Sequence, residues 1–440
     1  MQVKDKKIIV FGLGITGKSV VKALSNLGAK VYIYDDRPYE KLKNDVFSIS
    51  NYNFELIHED VDIDWDEISL LIKSPGIRLD NEFIELALKN NIEVISEIEL
   101  AYRIYGGDNF ISITGTNGKT TVTSLIGHIL KSAGKKVKIV GNIGVGLLSE
   151  MEKSDEDTLY VLELSSFQLA STKEFRSKIS VITNISPDHL DWHGNFKEYF
   201  NSKLNIMKNM IDTDLLIVNK DDSHLTNLNA NRIEFFSIKE KADAYLDNEN
   251  LVSQNFIYNK NNMKLVGRHN ISNVLAAILV AKELDISSEE ISKALDTFKP
   301  IKHRLEFISD INGVKYYNDS KGTNVDSTKV ALESFDKNII LIAGGYDKGV
   351  SFDGLFNNPD KIKELILIGQ TAKQIQDTAF KFGIKNINIV KDMTEAVELA
   401  YKNARRNDIV LLSPACASWD MYENYEIRGD DFRNLVKSYE

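Results

Sequence analysis

The segment Gly115-Thr116-Asn117-Gly118-Lys119-Thr120-Thr121 constrains the fold more than any other part of this 440-residue chain. It follows an apolar run, Phe110-Ile111-Ser112-Ile113, and precedes an amphipathic stretch from Thr121 to Leu130. Strand, glycine loop and helix in that order make a cradle for phosphate. The glycines let successive backbone N–H groups converge on anionic oxygens, the helix adds its positive end, Lys119 reaches the β- and γ-phosphates and Thr120 is placed for magnesium. The common form G-x-x-x-x-G-K-[ST] has its first glycine where this chain has Ile113, so the match is to a variant of the pattern. A Gly-Lys turn that merely caps a helix would explain the glycines but not the strand before them.

Short Ile- and Val-rich runs alternate with stretches of helical period along the whole chain, the pattern of parallel sheets covered by helices, so an α/β fold is expected. The length exceeds one ordinary core, and three domains are expected. Residues 1–95 read as a Rossmann-like unit, from strand Lys7–Phe11 through a helix near Lys18–Leu27 and strand Val31–Tyr34 to Glu93-Val94-Ile95. Residues 96–299 read as a phosphate-loop ATPase-like unit with strands at Phe110–Ile113, Val137–Val140, Thr158–Leu164, Ile179–Thr183 and Leu215–Val218. The Asn- and Asp-rich stretch Asn219–Asn250 reads as loops and short strands. Pro300 suits a linker, and residues 300–440 read as a second Rossmann-like unit with strands near Val314–Tyr317, Ile339–Ile342, Leu365–Ile368 and Ile409–Leu412.

With 64 acidic and 54 basic residues the formal charge is −10, which gives no pull toward nucleic acid. Cys416 is the single cysteine, so an intrachain disulfide is excluded and a reducing compartment, the cytoplasm, is expected. The apolar run Ile8–Phe11 is too short for a secretory signal, and no apolar run reaches the length of a membrane span, so a soluble protein is expected.

Glu163 ends the run Leu159-Tyr160-Val161-Leu162 and therefore sits at the carboxyl edge of a strand, where open α/β sheets place ligands. It suits Mg²⁺, directly or through water; alone it also reads as a solvated strand end. Thr183-Asn184-Ile185-Ser186-Pro187-Asp188-His189-Leu190-Asp191 ends another strand with imidazole and carboxylates close together. Magnesium prefers oxygen, so His189 by itself reads as a hydrogen-bonded loop histidine. Lys203 lies in the helical stretch Phe196–Met210, where it reads as an ordinary solvated lysine.

In the first unit, Gly12-x-Gly14-x-x-Gly17 with Asp35 at the end of the next strand is also the dinucleotide fingerprint. Alone it would suggest an NAD-dependent dehydrogenase, or a non-catalytic nucleotide-binding module.

Taken in order, Gly115–Thr121, Gly141-Asn142-Ile143-Gly144, Glu163-Leu164-Ser165-Ser166-Phe167-Gln168-Leu169, Asp188–Asp191, Gly267-Arg268-His269-Asn270, His303-Arg304-Leu305-Glu306 and Asn318-Asp319-Ser320-Lys321-Gly322-Thr323-Asn324 resemble the Mur ligase family of peptidoglycan biosynthesis across essentially the whole length. Gly12–Gly17, Ser74-Pro75-Gly76 and Ser413-Pro414-Ala415-Cys416-Ala417-Ser418 look like those of the members that join D-glutamate to UDP-N-acetylmuramoyl-L-alanine.

The resemblance implies that Gly115, Thr116, Asn117, Gly118, Lys119, Thr120 and Thr121 hold ATP, with Asn270 and Asn273 on the adenine side and Arg304 and Asp319 contributed by the third domain. It implies two Mg²⁺ ions at Thr120, Glu163, His189 and Lys203, the last carrying a carbamate formed with CO₂. Carbamylation needs a neutral amine, and lysine is the basic side chain whose pKa falls readily on burial. Lys119, Glu163, His189 and Lys203 are then the catalytic set. For the UDP-sugar it implies Gly14, Ile15, Thr16, Gly17, Asp35, Asp36, Arg37, Ser74, Pro75, Gly76, Asn142, Ser165 and Gln168. For D-glutamate it implies Lys321, Thr323, Lys348, Ser418, Trp419 and Tyr425, with Trp419 where many relatives carry leucine and Tyr425 where phenylalanine is familiar. The expected partners are UDP-N-acetylmuramoyl-L-alanine, D-glutamate and ATP, acting on a monomer with no nucleic acid or membrane involved.

Overall fold

The computed structural model describes residues 1–57, 63–142, 146–265, 267–299, 301–347 and 349–440. The expected linker residue Pro300, the motif residues Ile143 and Gly144, and the candidate site residue Lys348 lie outside the described residues. Among those described, no helix is long and apolar enough to cross a membrane.

The first sheet holds β1 (Lys7–Phe11), β2 (Lys30–Tyr34), β3 (Glu55–Leu56), β4 (Ile68–Lys73) and β5 (Val94–Ile95), all parallel, in the order β3-β2-β1-β4-β5. β1 is apolar at nearly every position because both faces are covered. Ile8 and Val10 join one core while Ile9 and Phe11 join the other, as a two-residue pleat repeat requires. The helix expected from Lys18 begins earlier and spans Ile15–Asn26, with Gly17 inside it. A Cβ on Gly17 would collide with the Gly12 carbonyl, so this glycine permits the close helix–strand approach.

The second sheet holds β6 (Phe110–Thr114), β7 (Val137–Gly141), β8 (Leu159–Glu163), β9 (Ile179–Ile182), β10 (Leu215–Asn219), β11 (Ile233–Ser237), β12 (Ala244–Asp247), β13 (Asn250–Ser253) and β14 (Phe256–Asn259). Their order is β14-β13-β12-β11-β10-β9-β6-β8-β7. Pairing is parallel from β7 through β12, and β13 and β14 extend the edge as an antiparallel meander. The helix expected over Phe196–Met210 is shorter: it spans Phe196–Leu204 and tightens into a 3₁₀ turn at Asn205–Met207. Asn205 draws the chain away there by donating its side-chain N–H to the Leu169 carbonyl at 3.0 Å.

The third sheet holds β15 (Glu306–Ile311), β16 (Val314–Asn318), β17 (Ile339–Ala343), β18 (Ile362–Leu367), β19 (Ile387–Ile389) and β20 (Ile409–Leu412), in the order β15-β16-β20-β17-β18-β19. Only β15 runs antiparallel. Residue contacts group 1–260 with 272–295 and, separately, 261–271 with 296–440. The first two sheets therefore belong to one compact unit.

Within that unit the helix Glu97–Tyr105 is the seam. Glu99, fully buried, accepts the backbone N–H groups of Lys173, Glu174 and Phe175, each at 2.9 Å, and pairs with Arg103 at 2.7 Å. Glu97 accepts the Leu148 N–H at 2.7 Å and so caps the helix Leu147–Met151 that follows β7. Burial raises the Glu97 carboxyl to about 7, against the pull of the Leu148 and Leu147 N–H groups. An acid with a raised native pKa binds more protons when folded, so stability falls as pH rises through the window from 4.5 to about 7. Relative to Glu97→Gln, the native protein should lose thermal stability across that window; parallel melting curves for the two proteins from pH 4.5 to 8 check it.

Candidate active site

Parallel register assembles the site. Ile113 on β6 stands opposite Glu163 on β8, and Thr114 opposite Ile182 on β9, so the phosphate loop, Glu163 and the Thr183–Asp191 segment leave the sheet at one carboxyl edge. The loop backbone is fixed from the β9 side. Asn184 accepts the Thr116 N–H on its carbonyl at 2.8 Å and the Asn117 N–H on its side chain at 2.9 Å. Thr183 Oγ1 and Asn184 Nδ2 both donate to the Asn117 carbonyl, at 2.6 and 2.9 Å. Gly115 and Gly118 take φ values of 144° and 86°. A Cβ would strike Thr183 Oγ1 at the first and Asn273 Oδ1 at the second. Gly118 then caps the helix Lys119–Ser132. This cradle fits phosphate: a helix N-terminus, two glycines that admit a close ligand, and a lysine at its start.

Two lysines converge on one oxygen. Lys119 Nζ donates to the carbonyls of Gly115 and Thr116, both at 2.8 Å, and Lys203 Nζ donates to the same Gly115 carbonyl at 2.8 Å. The reading of Lys203 as solvated is corrected: it is 2 % exposed and lies 4.7 Å from the centre of the Tyr199 ring. Burial, reinforced by the charge of Lys119 and opposed by Asp188 and Glu163, pushes its ammonium well below the usual lysine range.

Glu163 is 2 % exposed, and Asn142 Nδ2 donates to its Oε1 at 3.0 Å, while its Oε2 is buried without a hydrogen-bond partner. A buried carboxylate oxygen without a donor is costly, and a cation at that atom removes the cost. His189 is half exposed, with φ 51°, its ring centre 4.8 Å from that of Phe167 and its Nε2 3.6 Å from Asp188. Burial lowers its pKa, Asp188 opposing and the two lysines reinforcing. Among the described residues no three His, Cys, Asp or Glu side chains gather as a metal cluster. The donor set at this edge, Glu163 with the half-buried Thr120, fits magnesium, which takes few protein ligands and fills its shell with phosphate and water oxygens. Ser165 and Gln168 form a capping box on the short helix Ser166–Leu169, so their side chains also serve the local fold.

At the edge of the first sheet, Phe11 stands opposite both Tyr34 and Lys73, which aligns the glycine loop, Asp35 and the Ser74-Pro75-Gly76 turn. Asp35 accepts the Leu13 N–H at 2.7 Å and pairs with Arg37 at 2.9 Å. Burial alone would raise its carboxyl, but these donors hold it below the usual range. Asp36 accepts from Asn81 Nδ2 at 3.1 Å, and Ser74 Oγ donates to the Gly12 carbonyl at 2.8 Å. Gly14, Ile15 and Gly76 are exposed, while Thr16 and Pro75 are partly so. The structure therefore brings the first-domain candidates to one rim.

In the unit of the third sheet, Asp319 is buried and accepts from Ser413 Oγ at 2.7 Å and Leu305 N–H at 3.2 Å. Burial raises it to about 6, against the charge of Arg304 and these donors. Lys321 Nζ lies 5.7 Å from the centre of the Tyr425 ring, and Tyr425 accepts Ser320 Oγ–H on its carbonyl at 2.8 Å. Thr323 donates its N–H to the Lys321 carbonyl at 2.9 Å, and Ser418 is buried. Trp419 is 63 % exposed beside Tyr346. Asn270 is buried in this unit.

Three residues that no motif announced organise these sites. Arg428, fully buried, donates to Ser320 Oγ at 3.0 Å, to the Ser320 carbonyl at 2.9 Å and to the carbonyls of Cys416 and Ala417 at 3.1 and 3.3 Å. It ties the Asn318–Asn324 loop to the Ser413–Ser418 loop, and burial brings its guanidinium down to about 10. In sequence it sits in a charged helix and reads as surface; its neighbour Gly429, against which His303 packs, was the available signal. Lys73 and Trp192 are the other two.

Comparison with known proteins accords with this geometry. The Mur ligase MurD-like N-terminal domain matches residues 6–96, the Mur ligase middle domain 113–281, and the Mur ligase glutamate ligase domain 303–416. The UDP-N-acetylmuramoylalanine--D-glutamate ligase of Clostridioides difficile (strain 630) is 43 % identical, with 100 % of each chain covered. The protein of the same name from Thermoanaerobacter sp. (strain X514) is 42 % identical over 99 % of each. In fold the chain is similar to the UDP-N-acetylmuramate-alanine ligase of Thermotoga maritima, with a TM-score of 0.63 at 20 % identity over 99 % of this chain and 100 % of that one. Three matched domains in order and full-length identity above 40 % establish that the chain belongs to the Mur ligase family.

Proposed function

We propose that this chain joins D-glutamate to the alanyl carboxylate of UDP-N-acetylmuramoyl-L-alanine and converts ATP to ADP and phosphate, in the assembly of peptidoglycan precursor. The observation that carries the reading is the single sheet edge where the phosphate cradle, the unpartnered Glu163 Oε2 and the buried Lys203 meet. The names of the full-length relatives supply the substrates. A dehydrogenase would have no use for this edge. Nucleotide-linked substrates and ATP suit the cytoplasm, and we read the protein as acting there as a monomer.

A carboxylate is a poor electrophile, so amide formation in water requires activation. The alanyl carboxylate attacks the γ-phosphate of ATP and becomes an acyl phosphate; the amine of D-glutamate then displaces phosphate through a tetrahedral intermediate. Thr120, Glu163, His189 and a carbamate on Lys203 would hold two magnesium ions, which would supply positive charge against the transferring group. The loop N–H groups from Gly115 to Thr121 hold the phosphates, and Lys119 exchanges the Gly115 and Thr116 carbonyls for phosphate oxygens. Asn142 orients Glu163 so that Oε2 is the free ligand atom. Carbamylation forms an N–C bond from the neutral Lys203 amine and CO₂ and releases one proton. It places an anion beside Lys119, where a protonated Lys203 would be a second, repelled cation.

The rim of the first sheet takes the nucleotide-sugar: Gly14, Ile15, Thr16 and Gly17 against the diphosphate, Asp35, Asp36 and Arg37 toward uridine, and Ser74, Pro75, Gly76, Asn142, Ser165 and Gln168 toward the sugar side. The family resemblance also assigns Asn270, Asn273, Arg304 and Asp319 to ATP. Lys321, Thr323, Lys348, Ser418, Trp419 and Tyr425 take D-glutamate, whose two carboxylates call for cations and hydroxyl or backbone donors.

Release of ADP from ATP should require UDP-N-acetylmuramoyl-L-alanine and, among amino acids offered singly, D-glutamate. Equal turnover with L-alanine or a diamino acid contradicts the assignment. Lys203→Ala should lower turnover by at least about 100-fold, the scale of a lost transition-state electrostatic partner. Added formate or acetate should restore part of it by replacing the carbamate oxygens. Undiminished activity, or a loss that no small acid repairs in a variant that melts normally, contradicts the carbamate. Glu163→Gln should keep the fold and weaken Mn²⁺ binding, read by electron paramagnetic resonance; unchanged Mn²⁺ affinity contradicts its role.

A further inference from the structure

The loop that follows β4 is joined to the turn that carries His189 by three contacts. Trp192 donates its indole N–H to the Gly76 carbonyl at 3.2 Å. Lys73 Nζ lies 5.4 Å from the centre of the same indole. Arg78 donates to the Asp191 carbonyl. Lys73 is 1 % exposed, and its ammonium is satisfied by the Ile77 carbonyl at 2.9 Å and, more distantly, the Ser74 carbonyl at 3.4 Å. Burial alone brings it down to about 7. A cation kept inside the protein on carbonyls and a π face costs stability that a methionine at the same place would not. What it secures is local order: it holds the Ser74–Ile77 turn from beneath and draws the tryptophan onto that turn.

Trp192 passes the restraint onward. Its ring centre is 4.9 Å from that of Phe167, and Phe167 in turn lies 4.8 Å from the His189 imidazole. Phe167 stands on the short helix that follows Glu163. His189 itself lies in the left-handed region at φ 51°, an uncommon conformation for a residue with a side chain. The rim assigned to the nucleotide-sugar and the turn assigned to magnesium are thus two ends of one packed chain of side chains.

We propose that Trp192 is a positioning residue, with Lys73 as its support: together they suspend the His189 turn from the Ser74–Arg78 loop, so that filling the nucleotide-sugar rim sets His189 for phosphoryl transfer. The inference rests on the two loop assignments made under the proposed function.

The chain has three tryptophans, so protein labelled with 5-fluorotryptophan gives a resolvable ¹⁹F spectrum in which Trp192→Phe assigns one resonance. UDP-N-acetylmuramoyl-L-alanine added alone, without nucleotide or metal, should shift the Trp192 resonance. In Lys73→Met the ligand should still bind by calorimetry, the Trp192 shift should vanish, and kcat should fall about tenfold with the KM for ATP little changed, the scale of one cation–π contact and one hydrogen bond. Trp192→Phe should show the same split between kcat and KM. Calorimetric binding to the native protein without movement of the Trp192 resonance overturns the inference and leaves the function standing, as does native kcat in Lys73→Met. No binding of the UDP-sugar at all overturns both.

Discussion

The carbonyl oxygen of Gly115 is the acceptor on which the active edge depends. Lys119 and Lys203 both donate to it, from the helix after the loop and from a helix more than eighty residues further along the chain. That convergence is possible because φ at Gly115 is 144° and nothing but hydrogen stands between the loop and Thr183. The same backbone geometry that opens the cradle to phosphate therefore brings two like charges together. In a buried setting two ammonium groups on one oxygen is an unstable arrangement unless one of them loses its proton or gains an anion. The site is built with a demand for negative charge, which the proposed triphosphate and carbamate would both answer.

Parallel sheets explain how distant motifs meet. Each of the three sheets sends its candidate site loops from the carboxyl ends of neighbouring strands: β1, β2 and β4 in the first, β6, β8 and β9 in the second, β16 and β20 in the third. The buried polar groups then lock those loops against one another. Asn184 holds the phosphate loop, Arg428 holds the two loops of the third sheet, and Glu97 and Glu99 hold the seam between the first two sheets. Hydrogen-bonded charges at these places exchange some stability for fixed geometry.

Strand-by-strand, the α/β pattern was readable because β1, β17 and β20 are buried on both faces and so are nearly continuous apolar runs, and because β6 leads directly into the glycine loop. β4 passed unnoticed because Ser69 and Lys73 interrupt its run, although Lys73 proves buried. The β12–β13 turn was hidden in an Asn-rich stretch: Asn248 adopts φ 54°, so a residue typical of loops also closes a hairpin. In the site, the strand–loop–helix form of the phosphate loop and the place of Glu163 at a strand's carboxyl edge were legible from local context, while the burial of Glu163 was not. Lys203 was not, since a lysine on an amphipathic helix looks the same whether solvated or buried; only the tertiary contact with the Gly115 carbonyl distinguishes them. Arg428 and Trp192 act through long-range contacts with backbone carbonyls, and Lys73 through the carbonyls of its own turn and a distant indole, none of which leaves a periodic or motif signature.

The central claim is that this edge activates a carboxylate by moving a phosphoryl group onto it. The most direct measurement uses UDP-N-acetylmuramoyl-L-alanine carrying ¹⁸O in its terminal carboxylate, with ATP, magnesium and D-glutamate. If the carboxylate attacks the γ-phosphate, one labelled oxygen leaves with the released phosphate when the amine displaces it, and mass spectrometry of that phosphate finds it. Phosphate free of label, with amide product formed at the same rate, would contradict the account.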